Sequence, residues 1–273
     1  MTDQPSITLN DDRSMPQIGL GVFQMPAGET EGLVASALDL GYRAVDTAAI
    51  YGNEEGVGRA VRGTDETIFV TTKLWNKNQG FDNALTAFDA SFERLGLSWI
   101  DLYLIHWPVP AQDRFVESWQ ALIRLRDEGR VRSIGVSNFR VADLERIIGE
   151  TGVVPTTNQI ELHPHFQQVE LRRFHERHDI ATTSWSPLGR GAALNDPVIG
   201  RIAAKHGRTP AQVVIRWHVD NGLIVIPKAS SRARQAENLD VFGFALDAED
   251  MAAIAVLDSP DGRTGPHPDT FAG

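Results

Sequence analysis

The chain has 273 residues, with 26 Lys and Arg against 36 Asp and Glu, and so carries a formal net charge of −10. That acidity excludes a general nucleic-acid binder, because no broad positive field gathers phosphates. Cysteine is absent, which excludes disulfide frameworks, thiolate zinc sites, iron–sulfur clusters and cysteine nucleophiles together.

The opening segment, MTDQPSITLN, has no basic stretch leading into an apolar one, so no signal peptide is expected. The longest apolar run, Met251 to Leu257, is far shorter than the ~18 residues that cross a bilayer. A cytoplasmic protein is the simplest expectation. Residues 6–17 read as a short hairpin, followed by a strand over Ile18–Val22. Residues 29–40 place Leu33, Val34, Ala37 and Leu38 on one helical stripe, and 82–95 do the same with Leu85, Phe88, Phe92 and Leu95. Further helices are predicted near 54–62, 114–128, 140–149, 168–178, 209–219 and 231–239. Gly41, Gly63, Gly96 and Gly129 punctuate helix ends.

Between the helices run strands at Arg43–Asp46, Thr67–Leu74, Ile100–His106, Val131–Val136, Pro155–Ile160, Ile180–Ser184 and Leu223–Pro227. Strands that alternate with helices are parallel strands joined by crossovers. Eight such units in about 250 residues predict one (β/α)8 TIM barrel domain over 1–273. An open doubly wound sheet is the alternative, but no linker or composition break interrupts the repeat. An extra helix is expected at 247–257, with Asp247 as N-cap and Asp250 in its first turn. After Ser259 the tail is rich in Pro and Gly and is expected to be irregular.

Chemistry in such a barrel gathers where the strands end. The residues there are Asp46, Lys73, His106, Ser137, Asn138, Gln159, Trp185 and Lys228, each following an apolar strand. Asp46 and Lys73 are expected to form a buried ion pair. Tyr51 follows five residues after Asp46. A Lys ammonium ~4 Å from a phenol contributes about 4 kcal/mol at an effective dielectric of ~20, enough to lower a tyrosine pKa from ~10 by up to roughly 3 units. A proton donor, a neighbouring cation and a histidine suit a carbonyl oxygen that becomes an alkoxide. Carbonyl reduction is the reaction class these residues fit best. A structural ion pair and a satisfied core histidine are the bland readings of the same residues taken singly.

Other patterns carry less. Gly19-Leu20-Gly21 lacks the third glycine of a dinucleotide fingerprint, and Gly52 to Arg59 lacks the Lys-[Ser/Thr] of a phosphate loop. His163 and His165 have the spacing of a metal pair but no matching carboxylates, so no metal is expected. Lys228, Arg232 and Arg234 make a basic stretch that opens a helix, either a solvated face or a phosphate site.

The blocks GYRAVDTAAIYGNEEGVGRA (41–60), TTKLW (71–75), DLYLIHWP (101–108), IGVSNF (134–139), NQIELHP (158–164) and IPK (226–228) with AEN (236–238) resemble the aldo-keto reductase superfamily. The likeness covers essentially the whole chain and is strongest to the prokaryotic branch that includes the 2,5-diketo-D-gluconate reductases. It implies an NADPH-dependent reductase of small aldehydes and ketones, such as keto-sugar acids or methylglyoxal-like dicarbonyls, acting as a monomer. It implies a catalytic tetrad of Asp46, Tyr51, Lys73 and His106, with Tyr51 as general acid. Ser137, Asn138 and Gln159 would hold the nicotinamide carboxamide, Trp185 would stack on the ring, and Leu188 and Gly189 would line the pyrophosphate. Lys228, Ser230 and Arg234 would take the 2′-phosphate, with Glu237 and Asn238 near the adenine. Phe23, Trp75, Asn76 and Trp107 would wall the substrate pocket. The chain departs from many members at Ala229, where a serine would offer one more hydroxyl, and carries Trp185 where many have Tyr. Two rival classes are a cofactor-binding subunit without turnover and a metal-dependent hydrolase on the same barrel.

Overall fold

A computed structural model describes residues 4–272. Its chain begins with an antiparallel hairpin, β1 (Ser6–Thr8) and β2 (Ser14–Pro16). Eight parallel strands follow in chain order around one sheet: β3 (Leu20–Gly21), β4 (Ala44–Asp46), β5 (Phe69–Leu74), β6 (Ile100–Ile105), β7 (Val131–Ser137), β8 (Thr157–Glu161), β9 (Ala181–Trp185) and β10 (Ile224–Val225). Main-chain bonds between the first and last strands close it into a TIM barrel: Gly19 N donates to Val225 O at 2.9 Å and Gly21 N to Pro227 O at 3.2 Å. Closure depends on the glycine at 21, where a Cβ would lie 2.8 Å from Ile226 O. The last strand is short partly because Pro227 has no N–H to extend the ladder.

The helices are α1 (Ala27–Leu40), α2 (Glu54–Arg62), α3 (Phe81–Leu95), α4 (Phe115–Asp127), α5 (Val141–Thr151), α6 (Val169–Arg177), α7 (Pro197–His206), α8 (Pro210–Asp220), α9 (Arg232–Leu239) and α10 (Ala248–Ala255). Their apolar stripes pack on the strands; Val34, Ala37, Leu38, Phe88 and Leu95 are all buried. The sequence reading had no helix at α7. Asp196 caps it, accepting from Val198 N at 2.7 Å, and Pro197 opens it, a start signal that a one-helix-per-strand expectation passes over. Helix α10 starts on Asp247, whose side chain accepts from Glu249 N and Asp250 N.

The hairpin covers the barrel floor. Leu9 and Met15 pack with Ala44, Phe69, Leu102 and Ile224, while Asn10 Nδ2 donates to Pro155 O at 3.1 Å and Ser133 Oγ to Asp11 Oδ2 at 2.7 Å. With that end plugged, the opposite mouth, where the strands terminate, is the end left for ligands. Among the described residues, no helix is long and apolar enough to cross a membrane.

Candidate active site

Asp46 is the last residue of β4, Lys73 the second-last of β5, and His106 the first beyond β6. Parallel pairing in register brings these ends side by side. Lys73 is fully buried. Its Nζ contacts Asp46 Oδ1 and donates to Thr47 O at 2.9 Å, while Gln159 Nε2 donates to Asp46 Oδ2 at 2.7 Å. Both oxygens of the carboxylate are thus satisfied, the condition under which a buried charge is tolerated. The expected ion pair is present.

Tyr51 stands half-buried on a single 3-10 turn, Ala49–Tyr51, between β4 and α2. Its ring lies 5.3 Å from Lys73 Nζ and 5.7 Å, edge-on, from the His106 ring. The sequence argument had Lys73 lowering the Tyr51 pKa. Here burial pushes the phenol well above its usual range and Asp46 adds to the rise. The reason is geometric: the phenol is desolvated by its surroundings, and the Asp46 carboxylate, in contact with Lys73, also faces it. Burial lowers the Lys73 pKa, opposed by Asp46 and Glu54. Burial, with the Lys73 charge second, holds His106 well below the imidazole range. Tyr51 therefore keeps its proton, and His106 is neutral. His106 Nδ1 is buried without a hydrogen-bond partner.

The carboxamide-binding candidates sit beside this cluster. Ser137 Oγ donates to Gln159 O at 2.7 Å, Asn138 Nδ2 to His106 O at 2.9 Å, and Trp185 Nε1 to Asn138 Oδ1 at 2.8 Å. Half-buried Leu188 leads into Gly189, which has φ +56° and packs on His163. On the far side Lys228, Ser230 and Arg234 are exposed. Ser231 caps α9, Arg232 pairs with Asp39, and Lys228 makes one long bond, 3.4 Å, to Gln24 O. Glu237 accepts from Thr209 Oγ1 at 2.6 Å, and Asn238 is buried. A run from polar amides at the tyrosine, past a glycine turn, to exposed cations at a helix start suits the carboxamide, pyrophosphate and phosphate of an extended dinucleotide. The donor set fits NADPH.

Aromatic side chains wall the opening. Trp75 lies 5.2 Å from the His106 ring, and Trp107 lies 6.4 Å from Trp185. Phe23 is 52% exposed and sits 5.0 Å from Tyr51. Buried Asn76 donates through Nδ2 to Ala272 O at 3.3 Å. Sequence reasoning gave no single residue of the tail a role here. Phe271 packs 4.6 Å from Trp107 and 6.3 Å from Trp75, so the tail closes one side of the pocket. It also missed exposed Ile50, on the rim beside Tyr51. Position next to a singled-out tyrosine was the only signal for Ile50; Phe271 lies in a Pro- and Gly-rich tail with no periodicity to place it.

Glu161, inside a motif block but given no role from sequence, anchors that tail. Its carboxylate accepts from Thr264 N at 2.6 Å, from Thr264 Oγ1 at 2.5 Å and from Gly265 N at 3.0 Å. Burial pushes its pKa up, but the bonds from His163, Thr264 and Gly265 outweigh that and bring it down from 4.5 to about 2. A depressed carboxyl stabilises the fold above its unfolded pKa and loses that contribution as pH falls through the folded one. Glu161→Gln is expected to lose up to about 3 kcal/mol near neutral pH, less whatever solvent screens at the tail's edge. Urea unfolding of both proteins should show the gap narrowing as pH drops from 4.5 towards about 2.

The described residues hold no group of three or more His, Asp or Glu side chains arranged around a metal position. A plugged barrel with a tyrosine, a buried Lys–Asp pair and a neutral histidine at its mouth defines a class of oxidoreductase acting on carbonyl groups. The Aldo/keto reductase family profile matches residues 17–259. An aldo-keto reductase of Mycolicibacterium smegmatis is 56% identical over 270 residues, covering 98% of each chain. Methylglyoxal reductase DkgA of Escherichia coli is 49% identical over 278 residues, covering both chains in full. A crystal structure of a Gox0644 mutant in complex with NADPH superposes with TM-score 0.96 at 58% identity, over 98% of each chain. The chain belongs to the aldo/keto reductase family. It is an oxidoreductase of that family.

Proposed function

We propose that the protein reduces small polar aldehydes and ketones, among them 2-oxo aldehydes such as methylglyoxal and keto-sugar acids such as 2,5-diketo-D-gluconate, with Tyr51 as the general acid. The observation that carries this reading is the cluster of Tyr51, Lys73 and His106 at one strand-end mouth, with the Tyr51 and His106 rings 5.7 Å apart. When bound, NADPH supplies the hydride. Tyr51 donates its proton to the carbonyl oxygen. Neutral His106 donates a second hydrogen bond and orients that oxygen. Lys73, held by Asp46, contributes an oriented positive field. Trp75, Trp107 and Phe271 exclude water from the reacting carbon, with Phe23 and Asn76 completing the wall. The likeness to a methylglyoxal reductase supports small dicarbonyls as the substrate class.

Ser137, Asn138 and Gln159 would hold the carboxamide, Trp185 the ring face, Leu188 and Gly189 the pyrophosphate, and Glu237 and Asn238 the adenine. Lys228, Ser230 and Arg234 would take the 2′-phosphate. Arg234 makes no salt bridge among the described residues, so its charge is free for a ligand. Arg234→Ala is expected to raise the Kd for NADPH by roughly 10–100-fold, the effect of one charged hydrogen bond, and to leave NADH binding unchanged. Fluorescence titration with each cofactor reads this directly. Equal weakening of both would remove Arg234 from the phosphate site. A single barrel domain over 1–273, working as a cytoplasmic monomer, completes the proposal.

The test of activity is NADPH consumption over a panel of small aldehydes, ketones and keto-sugar acids, with NADH in parallel. Turnover on small 2-oxo compounds supports the reading. Bound NADPH with no turnover on any of them would point instead to a cofactor-binding module.

A further inference from the structure

The Tyr51 hydroxyl hangs from a three-residue turn, and a loop holds a side chain less firmly than a strand does. Two buried residues just after this turn, where α2 begins, bond to the strand ends on either side of the ion pair. Asn53 is at the N-cap of α2, yet its side chain makes no capping bond, unlike a typical Asn there. Instead its Oδ1 accepts from Thr47 Oγ1 at 2.7 Å and its Nδ2 donates to Val22 O at 2.9 Å. Glu54, equally buried, accepts from Thr72 Oγ1 at 2.6 Å and from Arg94 Nε at 2.7 Å.

The two threonines are the telling partners. Thr47 directly follows Asp46, and Thr72 directly precedes Lys73. The carbonyl of Thr47 also accepts from Lys73 Nζ at 2.9 Å. One side-chain bond thus runs from the start of α2, directly behind the tyrosine's turn, to the end of β4 and one to β5, the strands that carry the ion pair, and Lys73 closes the ring. We propose that Asn53 and Glu54 are positioning residues, a two-armed brace that sets the Tyr51 hydroxyl in register with Asp46 and Lys73. This rests on the reading of Tyr51 as the acid. Neither residue belongs to the proposed substrate or cofactor contacts; the brace acts through where it puts the phenol, and the Glu54 charge also favours the protonated Lys73. An error of ~1 Å in the placement of a reacting group can cost about 100-fold in rate.

Thr47→Val and Thr72→Val each remove one arm's hydroxyl with little change of shape, and Thr47→Ser and Thr72→Ser keep it. The measurement is the single-turnover rate of NADPH oxidation by loaded enzyme with methylglyoxal. Each valine variant is expected to lose ~10–100-fold, with NADPH affinity and KM unchanged, and each serine variant to restore the rate. In a Tyr51→Phe background the same valine changes should add no further loss, since residues acting through one group are non-additive. Valine variants with full rate would overturn the brace, as would a loss that persists undiminished in the Tyr51→Phe background. Full rate in Tyr51→Phe alone would instead overturn the acid reading beneath it. Should Thr47→Val fail to fold, Thr72→Val carries the same test through the other arm.

Discussion

Tyr51→Phe is expected to lower the single-turnover rate of carbonyl reduction by at least ~100-fold, the low end for losing a positioned acid. NADPH binding should change little, because the proposed cofactor contacts lie on β7, β8, β9, α9 and the loops that follow β7, β9 and β10, and none involves the phenol oxygen. Stability should also hold. The Tyr51 hydroxyl makes no hydrogen bond within the described chain, and Phe keeps the ring that packs 5.0 Å from Phe23. Stopped-flow NADPH oxidation gives the rate, titration the affinity, and thermal unfolding the stability. A variant with near wild-type rate would remove Tyr51 from the chemistry.

Lys73→Met should be damaging in two separable ways. It removes the cation beside the tyrosine, and loss of one oriented charge or donor typically costs ~100–1,000-fold in rate. It also strands the Asp46 carboxylate in a buried site with only Gln159 Nε2 at 2.7 Å to satisfy it. Breaking a buried pair on one side costs about 3–5 kcal/mol, a fall of several degrees in Tm for a barrel of this size. Adding Asp46→Asn removes the stranded charge, so the double variant should recover most of the stability and none of the rate. Denaturant unfolding and the single-turnover assay separate the two effects. Recovery of the rate along with stability would show that the pair serves folding alone.

Much of the fold was readable because its determinants are local. The stripe Leu33, Val34, Ala37, Leu38 has helical spacing whatever it packs on, and Asp247 signals a cap within its own turn. Barrel order follows from repetition, since each crossover places a strand beside its predecessor. Helix α7, opened by Asp196-Pro197, falls outside the one-helix-per-strand rhythm that the sequence suggests. The site was legible in the same way. A polar residue that ends an apolar strand must emerge at the mouth, which brings Asp46, Lys73 and His106 together from sequence alone.

The charge state of those residues was a different matter. From sequence, Lys73 was expected to draw the Tyr51 pKa down. Only the packed structure shows that Asp46 is in contact with Lys73 and that burial acts on all of them, so that the phenol moves up. Desolvation depends on every atom that excludes water, and no spacing along the chain encodes it. The same holds for Phe271, which reaches Trp107 from 164 residues away in the chain, and for Glu161, whose carboxylate meets Thr264 across |i−j| = 103. Most of the elements, their order around the barrel and the side chains that reach its mouth follow from the sequence alone, because periodicity, capping and strand-end position are short-range properties. The tertiary structure alone decided the protonation of those side chains, the closure of the pocket by the tail and the brace behind Tyr51, because burial and long-range contact exist only once the chain has packed.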